Sequence, residues 1–150
     1  MPAEVRIVAL CDEAGRIVEP GLVATAEAVH RQLRPMLPAD YAGRIAAVCA
    51  SGARLQAALL GDAVAGLALW RIVENTFEGR RLFVDDLVTD EALRGRGVGK
   101  ALIGWLAETG RRAGCQVLAL ESGVQRSRAH AFYFREGLTI PSFSFRKKLV

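Results

Sequence analysis

The chain has 150 residues, of which 51% are hydrophobic and 24% are charged, and its formal net charge is +4. This length suits one domain with a full core, and the composition excludes a disordered or collagen-like chain. Its apolar runs are far shorter than the ~20 residues that cross a bilayer, and no export signal marks the N-terminus. We therefore expect a single-domain, cytoplasmic protein that does not bind membranes.

Hydrophobic spacing and turn residues divide the chain into predicted strands and helices. In chain order they are a strand at 4–10, helices at 20–33 and 41–49, strands at 55–60 and 64–73 joined as a hairpin, a strand at 81–88, a helix at 98–112, a strand at 116–120, a helix at 126–136 and a strand at 142–146. A strand, helix and strand across 81–120 predict a right-handed crossover, in which the two strands run parallel. The order predicts an α/β fold with a mixed sheet in one domain.

The basic surplus is compatible with an ordinary solvated surface, with a small anionic ligand such as a phosphate-bearing cofactor, or with a nucleic acid. Its cations are spread along the chain among acidic residues, and aromatic residues make up only 7%. A nucleic-acid interface usually shows a basic stripe or an aromatic platform, so we expect no nucleic-acid partner. The three cysteines lie far apart and the chain has two histidines, which predicts buried free thiols and no metal site.

The most informative segment is the glycine-rich stretch between the strand at 81–88 and the helix at 98–112. Its cations and glycines are Arg94, Gly95, Arg96, Gly97, Gly99 and Lys100. Glycines let backbone amides approach a ligand, and a helix N-terminus adds partial positive charge. The segment therefore predicts a cradle for a phosphate or pyrophosphate. The alternative is a turn whose glycines serve only close packing of strand and helix.

Two common nucleotide loops do not fit this stretch. The dinucleotide pattern G-x-G-x-x-G requires a third glycine where Lys100 or Leu102 stands. The NTPase loop requires a hydroxyl residue for magnesium where Ala101 stands. The predicted cradle therefore belongs to another class of phosphate site.

The pattern Arg94-x-x-Gly97-x-Gly99 resembles the [Q/R]-x-x-G-x-[G/A] signature of the GNAT superfamily of acetyl-CoA-dependent N-acetyltransferases. Residues 129–138 (AHAFYFREGL) are similar to that family's A-x-x-F-Y-x-x-x-G-[FL] element. The resemblance runs from the strand at 82–88 to Leu138, in the family's order. Together the two motifs are far more specific than either alone.

The resemblance implies a GNAT fold over residues 1–150, with six or seven strands and about four helices. It also implies that parallel strands near 82–88 and 116–120 splay apart around acetyl-CoA, which is a co-substrate, and that no metal is needed. The acetyl group would pass directly to a primary amine of a small molecule, peptide or protein. The residues implied in binding the co-substrate are Leu87, Val88, Arg94, Gly95, Arg96, Gly97, Val98, Gly99 and Lys100.

Such a transfer needs a base for the amine and an acid for the leaving thiolate. Tyr133 stands where the family often has the tyrosine that protonates the sulfur, and the alternative is a core aromatic. Asp86 is the candidate base. Strand alternation sends Asp85 and Asp86 to opposite faces, with Asp86 on the face of Val84 and Val88. A carboxylate there needs a partner or takes a raised pKa, so a salt bridge to an arginine is the alternative.

Three features keep further readings open. Relatives often place Glu earlier on the strand at 81–88, so Asp85, His130 or a water chain are also candidates for the base. By the resemblance, residues 20–52 shape the acceptor pocket, which Glu121 and Ser122 also line, and no acidic cluster there selects a polycation. Relatives often finish with a hairpin of two strands, whereas only 138–150 remain after the last motif. The closing sheet is therefore either reduced to one strand or completed by a second copy of the chain. A non-catalytic acyl-CoA sensor is the alternative function.

Overall fold

The structure, a computed structural model, describes residues 4–150. In that range the strands are β1 (Val5–Ala9), β2 (Arg54–Leu60), β3 (Ala63–Glu74), β4 (Arg80–Thr89) and β5 (Val117–Leu120). The helices are α1 (Pro20–Leu33), α2 (Tyr41–Ala50), α3 (Val98–Arg112) and α4 (Ser127–Arg135), with one 3-10 turn at Glu91–Leu93. Every predicted segment up to residue 136 is confirmed in type and order.

The described residues divide into two compact units, one ending at Ala119 and the other spanning Leu120–Val150. The first unit contains α1, α2, α3 and the strands up to Ala119, and the second contains α4. No helix between residues 4 and 150 combines the length and apolar character needed to cross a membrane.

The sheet follows the chain, in the order β1-β2-β3-β4-β5. The pairs β1–β2, β2–β3 and β3–β4 are antiparallel, and Gly61 takes a φ of 60° in the predicted hairpin between β2 and β3. The amide of Gln116 donates to the carbonyl of Arg80 at 2.8 Å, so β4 and β5 begin side by side. Two strands that begin side by side run parallel, and the sheet is therefore mixed, as predicted.

Helices cover both faces of this sheet. On one face α1 and α2 bury apolar side chains against Leu69 of β3 and its neighbours in the main core cluster. On the other face Trp105 of α3 makes an edge contact with Trp70 of β3, with ring centroids 5.8 Å apart. Consecutive residues of β3 thus identify the two faces, which we call the α1–α2 face (Leu69) and the α3 face (Trp70).

The predicted last strand at 142–146 is wrong, so the described sheet has five strands where six or seven were expected. Residues 138–150 form no helix or strand, and Phe143 and Phe145 are 85% and 93% exposed. An alternating pattern makes a strand only where a neighbouring edge accepts its hydrogen bonds. Periodicity by itself cannot indicate whether such an edge exists. All three cysteines are free; Cys11 and Cys49 are buried as predicted, whereas Cys115 is only half-buried.

Candidate active site

The glycine-rich loop, residues 94–100, connects the 3-10 turn to α3 and is largely exposed. Gly95 and Gly97 both have a φ of 79°, a left-handed conformation that favours glycine. A Cβ atom built at either residue meets nothing within 4 Å. The outer surface of the loop at these two glycines is therefore open, as a ligand cradle requires.

The N-terminus of α3 leaves backbone amides without partners in the helix. α3 begins at Val98 with no side-chain cap and no acidic residue in its first turn. Its first intrahelical bond joins the Ala101 amide to the Gly97 carbonyl at 3.0 Å. The amides of Val98, Gly99 and Lys100 precede that bond, so they have no helical acceptor, and the helix dipole makes this end partly positive.

Three full positive charges surround those amides. Arg94, Arg96 and Lys100 are exposed, and none of them forms a salt bridge with an acidic residue in the described chain. Their charge is therefore available to an anionic ligand. The loop brings together the cradle residues that the sequence predicted.

A glycine on the neighbouring strand sets the position of the α3 N-terminus. A Cβ atom built at Gly66 of β3 would lie 2.8 Å from Val98 Cγ1, 2.9 Å from the Val88 carbonyl oxygen and 3.1 Å from Leu102 Cδ1. Real Cβ atoms rarely approach other atoms this closely. Gly66 thus lets the first turn of α3 pack directly over the end of β4.

Leu87 and Val88 lie near the C-terminal end of β4, beside the start of α3. Counted in parallel register from the bond between Gln116 and Arg80, β5 ends before β4 reaches Leu87. Among residues 4–150, the edge of β4 that would continue toward β5 therefore has no strand partner at these two residues. The binding of the co-substrate at these backbone groups, which the family resemblance implies, stays a prediction.

A β-bulge in β4 determines where its carboxylates point. Leu69 pairs with Asp86 while the next residue, Trp70, pairs with Val84, so Asp85 is an extra residue in β4. Directly paired residues share a face, which places Val84 on the α3 face and Asp86 on the α1–α2 face. The prediction that Asp86 shares a face with Val84 is therefore wrong, because the bulge interrupts the alternation.

Asp85 is neutralised within the sheet. Its Oδ2 accepts hydrogen bonds from Nε and Nη2 of Arg71 at 2.9 and 2.6 Å. Arg71 lies two residues from Leu69 on β3 and so shares its face. The expected split of Asp85 and Asp86 onto opposite faces is also wrong, for the same reason. Asp85 does not line the cavity described below, whereas Asp86 does.

Two side chains hold Asp86: His30 of α1 and Arg34, the residue that follows α1. His30 lies 2.7 Å from Oδ2, and Nε of Arg34 donates to Oδ1 at 2.8 Å. Because a carboxylate only accepts, His30 donates through Nε2, and the Nδ1 atom of a neutral ring then accepts from the Tyr41 hydroxyl at 2.8 Å. The result is a buried chain of hydrogen bonds from Tyr41 through His30 to Asp86.

The network lowers the pKa of Asp86. Burial alone raises the pKa of this carboxyl, but the hydrogen bond from His30 and the charge of Arg34 outweigh burial, so the pKa lies below its ordinary value. The raised pKa that the sequence suggested is therefore wrong, and the alternative of an arginine salt bridge is present. Asp86 is charged at neutral pH. Burial also raises the pKa of Tyr41, which stays protonated.

Asp86 faces a cavity of about 320 Å³ in the first unit. Its polar lining consists of His30, Arg34, Arg44 and Asp86, and its apolar lining of Met36, Leu37, Pro38, Ile45, Val48 and Leu69. Most of these residues come from α1, α2 and the loop between them, the region expected to shape an acceptor pocket. No acidic residue other than Asp86 lines the cavity.

The remaining candidates lie in the second unit. Tyr133 is half-buried on α4, 5.6 Å from Phe132 between ring centroids, and burial raises its pKa despite the charge of Arg126. His130 Nε2 lies 3.1 Å from the Ser122 hydroxyl and 2.9 Å from the Gly123 carbonyl. Because its pKa is raised, Tyr133 carries its proton at neutral pH, as an acid must.

Glu121, the other residue expected on the acceptor side, forms a salt bridge with Arg146 within the second unit. That pairing reduces the charge that Glu121 can offer to a substrate.

The sequence reasoning missed three residues of the Asp86 network: His30, Arg34 and Tyr41. One signal was available for His30, which continues the buried stripe of α1 that Val23 and Ala26 begin. A histidine on an apolar stripe requires a polar partner once buried. Nothing in the local sequence indicates that the partner is Asp86, which lies 56 residues away.

A family model described as the acetyltransferase (GNAT) family matches residues 24–137. The chain is 42% identical over 71 residues to an uncharacterized N-acetyltransferase of Bacillus subtilis, covering 47% of this chain and 50% of that protein. It is 36% identical over 66 residues to the aminoalkylphosphonate N-acetyltransferase of Salmonella typhimurium, covering 44% of this chain and 43% of that protein. The matches thus span half or less of these curated relatives.

Solved structures share the fold over nearly the whole chain. An aminoglycoside N-acetyltransferase in complex with CoA has a TM-score of 0.81 at 17% identity, covering 100% of this chain and 98% of that one. A ribosomal-protein-alanine N-acetyltransferase of Brucella melitensis has a TM-score of 0.80 at 16% identity, covering 98% of this chain and 100% of that one. Identity this low indicates a common fold, and the two proteins are named for different acceptors.

Proposed function

The chain belongs to the acetyltransferase (GNAT) family, and on that premise we propose that it moves an acetyl group from acetyl-CoA to a primary amine. The acceptor is a small molecule, a peptide or a protein, and residues 1–150 form one N-acetyltransferase domain. The cytoplasmic location and the lack of a nucleic-acid partner stay predictions.

The observation that carries the proposal is the open N-terminus of α3. Three amides without helical acceptors and three cations that pair with no acidic residue of the described chain meet at residues 94–100. A diphosphate bound there would satisfy the amides and the charges together. The backbone edge at Leu87 and Val88 would then hold the pantetheine arm and the thioester carbonyl.

The chemistry divides between the two acid–base candidates. Asp86 is charged and faces the cavity, so it holds the ammonium group of the acceptor. Because its pKa is lowered, it does not keep the proton of the amine but passes it on to water. The neutral amine attacks the thioester carbonyl carbon, so a C–N bond forms and the C–S bond breaks. The proton that the nitrogen then loses goes to water and balances the proton that the leaving thiolate takes up, so that Tyr133 is reprotonated. Tyr133 donates its proton to the departing thiolate, and its raised pKa keeps that proton available.

A thiol-release assay with acetyl-CoA and a panel of amines tests this function. We expect release with at least one class of amine, and a much lower kcat in Tyr133→Phe with CoA affinity retained. Binding of CoA without release across the panel would instead favour the acyl-CoA sensor.

The cradle is tested separately by the pair Gly97→Asp and Gly97→Asn. Both side chains tolerate the left-handed conformation and the space there is open, so the two variants differ mainly in charge. We expect Gly97→Asp to bind CoA about tenfold more weakly than Gly97→Asn, because its carboxylate faces the diphosphate. Equal affinities in two folded variants would remove the diphosphate from this loop.

We also propose that a second copy of the chain covers the C-terminal segment. Ile140, Phe143, Phe145 and Leu149 are all at least 65% exposed. Residues 142–146 alternate polar and apolar side chains, a pattern suited to pairing with another strand. A homodimer would bury these side chains.

A further inference from the structure

The cavity that Asp86 faces carries more positive than negative charge. Its lining contains two guanidinium groups, Arg34 and Arg44, and one carboxylate, Asp86. Within residues 4–150 the Arg44 side chain forms no salt bridge. Since Asp86 balances only one of the two arginines, the cavity retains an uncompensated cation at Arg44.

Arg34 also keeps part of its hydrogen-bonding capacity. Its Nε and Nη2 atoms contact Oδ1 of Asp86, and Nη2 also donates to the Asp85 carbonyl. Nη1 forms no hydrogen bond or salt bridge with a described residue, and the side chain is 41% exposed. A guanidinium with a free edge can bind a second anion.

The rest of the cavity selects for size and an apolar body. Six of its lining residues are apolar, and its volume of about 320 Å³ lies at the small end of the roughly 300–1,000 Å³ range of small-molecule sites. A carboxylate has about four acceptor positions, so Asp86 can bind an ammonium group while it keeps His30 and Arg34. The cavity thus offers a cation site, an anion site and an apolar wall.

On the basis of the proposed function, we infer that the acceptor is a small amine that also carries an acidic group and an apolar chain, such as an apolar amino acid or its phosphonate analogue. Asp86 binds the ammonium group, and Arg44 with the free edge of Arg34 binds the acid. Polycationic amines are disfavoured, because their further charges would meet these arginines.

Equilibrium titration of matched ligands tests the inference without depending on turnover. The pairs are L-leucine with 3-methylbutylamine and L-phenylalanine with 2-phenylethylamine, each titrated with and without CoA. We expect at least one acid to bind about tenfold more tightly than its amine, as a charge-assisted guanidinium pair predicts. The phosphonate analogue of leucine is titrated as well, and tighter binding than that of leucine would indicate a site shaped for the larger anion. Spermidine is titrated as the example of a polycation.

Arg44→Gln isolates the acid-binding group, and Arg6→Gln is its matched control. Arg6 is an exposed residue of β1 that does not line the cavity, so its loss changes the net charge equally. We expect Arg44→Gln to reduce the ratio of acid to amine affinity by about tenfold, and Arg6→Gln to leave that ratio unchanged.

Three outcomes would overturn the inference: equal affinities within both pairs, no binding of either acid, or tighter binding of spermidine than of the acids. A preference for acids without thiol release from acetyl-CoA would overturn the proposed function and leave standing only the preference of this cavity for acidic amines. Thiol release with plain amines, without any preference for acids, would support the proposed function and overturn the inference about the acceptor.

Discussion

Among single residues, Asp86 depends most on its surroundings for its chemical state. It is 9% exposed, and its two oxygens contact His30 and Arg34 at 2.7 and 2.8 Å. Buried carboxylates without partners take up a proton, whereas this one has a lowered pKa because its partners favour the charge. The same contacts that keep Asp86 charged for an ammonium group also stabilise the folded chain.

We predict that Asp86→Asn lowers the free energy of unfolding by about 1–3 kcal/mol at pH 7, because the variant loses charged hydrogen bonds in a buried site. The folded-state pKa of Asp86 lies below its unfolded value. Its contribution is therefore fully present above the ordinary pKa of about 3.9 and is lost as the pH falls through the folded-state pKa. Urea unfolding of both proteins from pH 7 downward measures this difference.

The control is Asp62→Asn, on the exposed hairpin turn, which should differ little from the wild type at any pH. If the difference in unfolding free energy between Asp86→Asn and the wild type stayed constant down to acid pH, the charge of Asp86 would not be what stabilises the fold.

Between elements, one glycine and one bulge position the candidate site. The extra residue Asp85 turns Asp86 toward α1, while Gly66 brings α3 against the end of β4. Bulges commonly redirect a side chain beside an active site. Both features act on β3 or β4, so the cavity and the glycine-rich loop are positioned by the same two central strands.

We predict that Gly66→Ala weakens CoA binding several-fold and destabilises the fold by about 1–3 kcal/mol, as overpacking does. The added methyl group would lie 2.8 Å from Val98 Cγ1 and 2.9 Å from the Val88 carbonyl oxygen, so the start of α3 must shift. Titration with CoA and thermal unfolding measure the two effects.

Gly104→Ala on α3 is the matched control, because a Cβ atom there meets nothing within 4 Å. It should raise stability by about 0.5–1 kcal/mol, as in other exposed helix positions, and leave CoA affinity unchanged. Wild-type CoA affinity in Gly66→Ala would show that the position of α3 does not control the cradle.

For the whole molecule, the proposed dimer determines what becomes of the exposed C-terminal side chains. We predict that size-exclusion chromatography with light scattering gives a dimer, and that the double variant Phe143→Ser, Phe145→Ser gives a monomer. Both phenylalanines are more than four-fifths exposed, and apolar surface of this kind is rare on a monomer. Phe77→Ser, another exposed aromatic residue at 74%, should remain dimeric. A wild-type monomer at every concentration would contradict the proposal.

The elements up to residue 136 and the glycine-rich loop were predictable from the sequence, because helix period, turn glycines and the cradle motif are local features. The pattern at 142–146 looked equally regular, yet it forms no strand, because a strand depends on a partner edge that its own residues do not specify. Local sequence patterns therefore determined the helices and strands up to residue 136, the glycine-rich loop and the family resemblance.

Only the tertiary structure decided the surroundings of Asp86. The bulge at Asp85 places Asp86 on the face of β4 opposite to Val84, and folding brings Asp86 into contact with His30, which lies 56 residues earlier. The cavity and its excess of arginine followed from the packing of α1 and α2 against that face. These features depend on contacts between residues far apart in the chain, and neither alternation nor motif spacing carries information about such contacts.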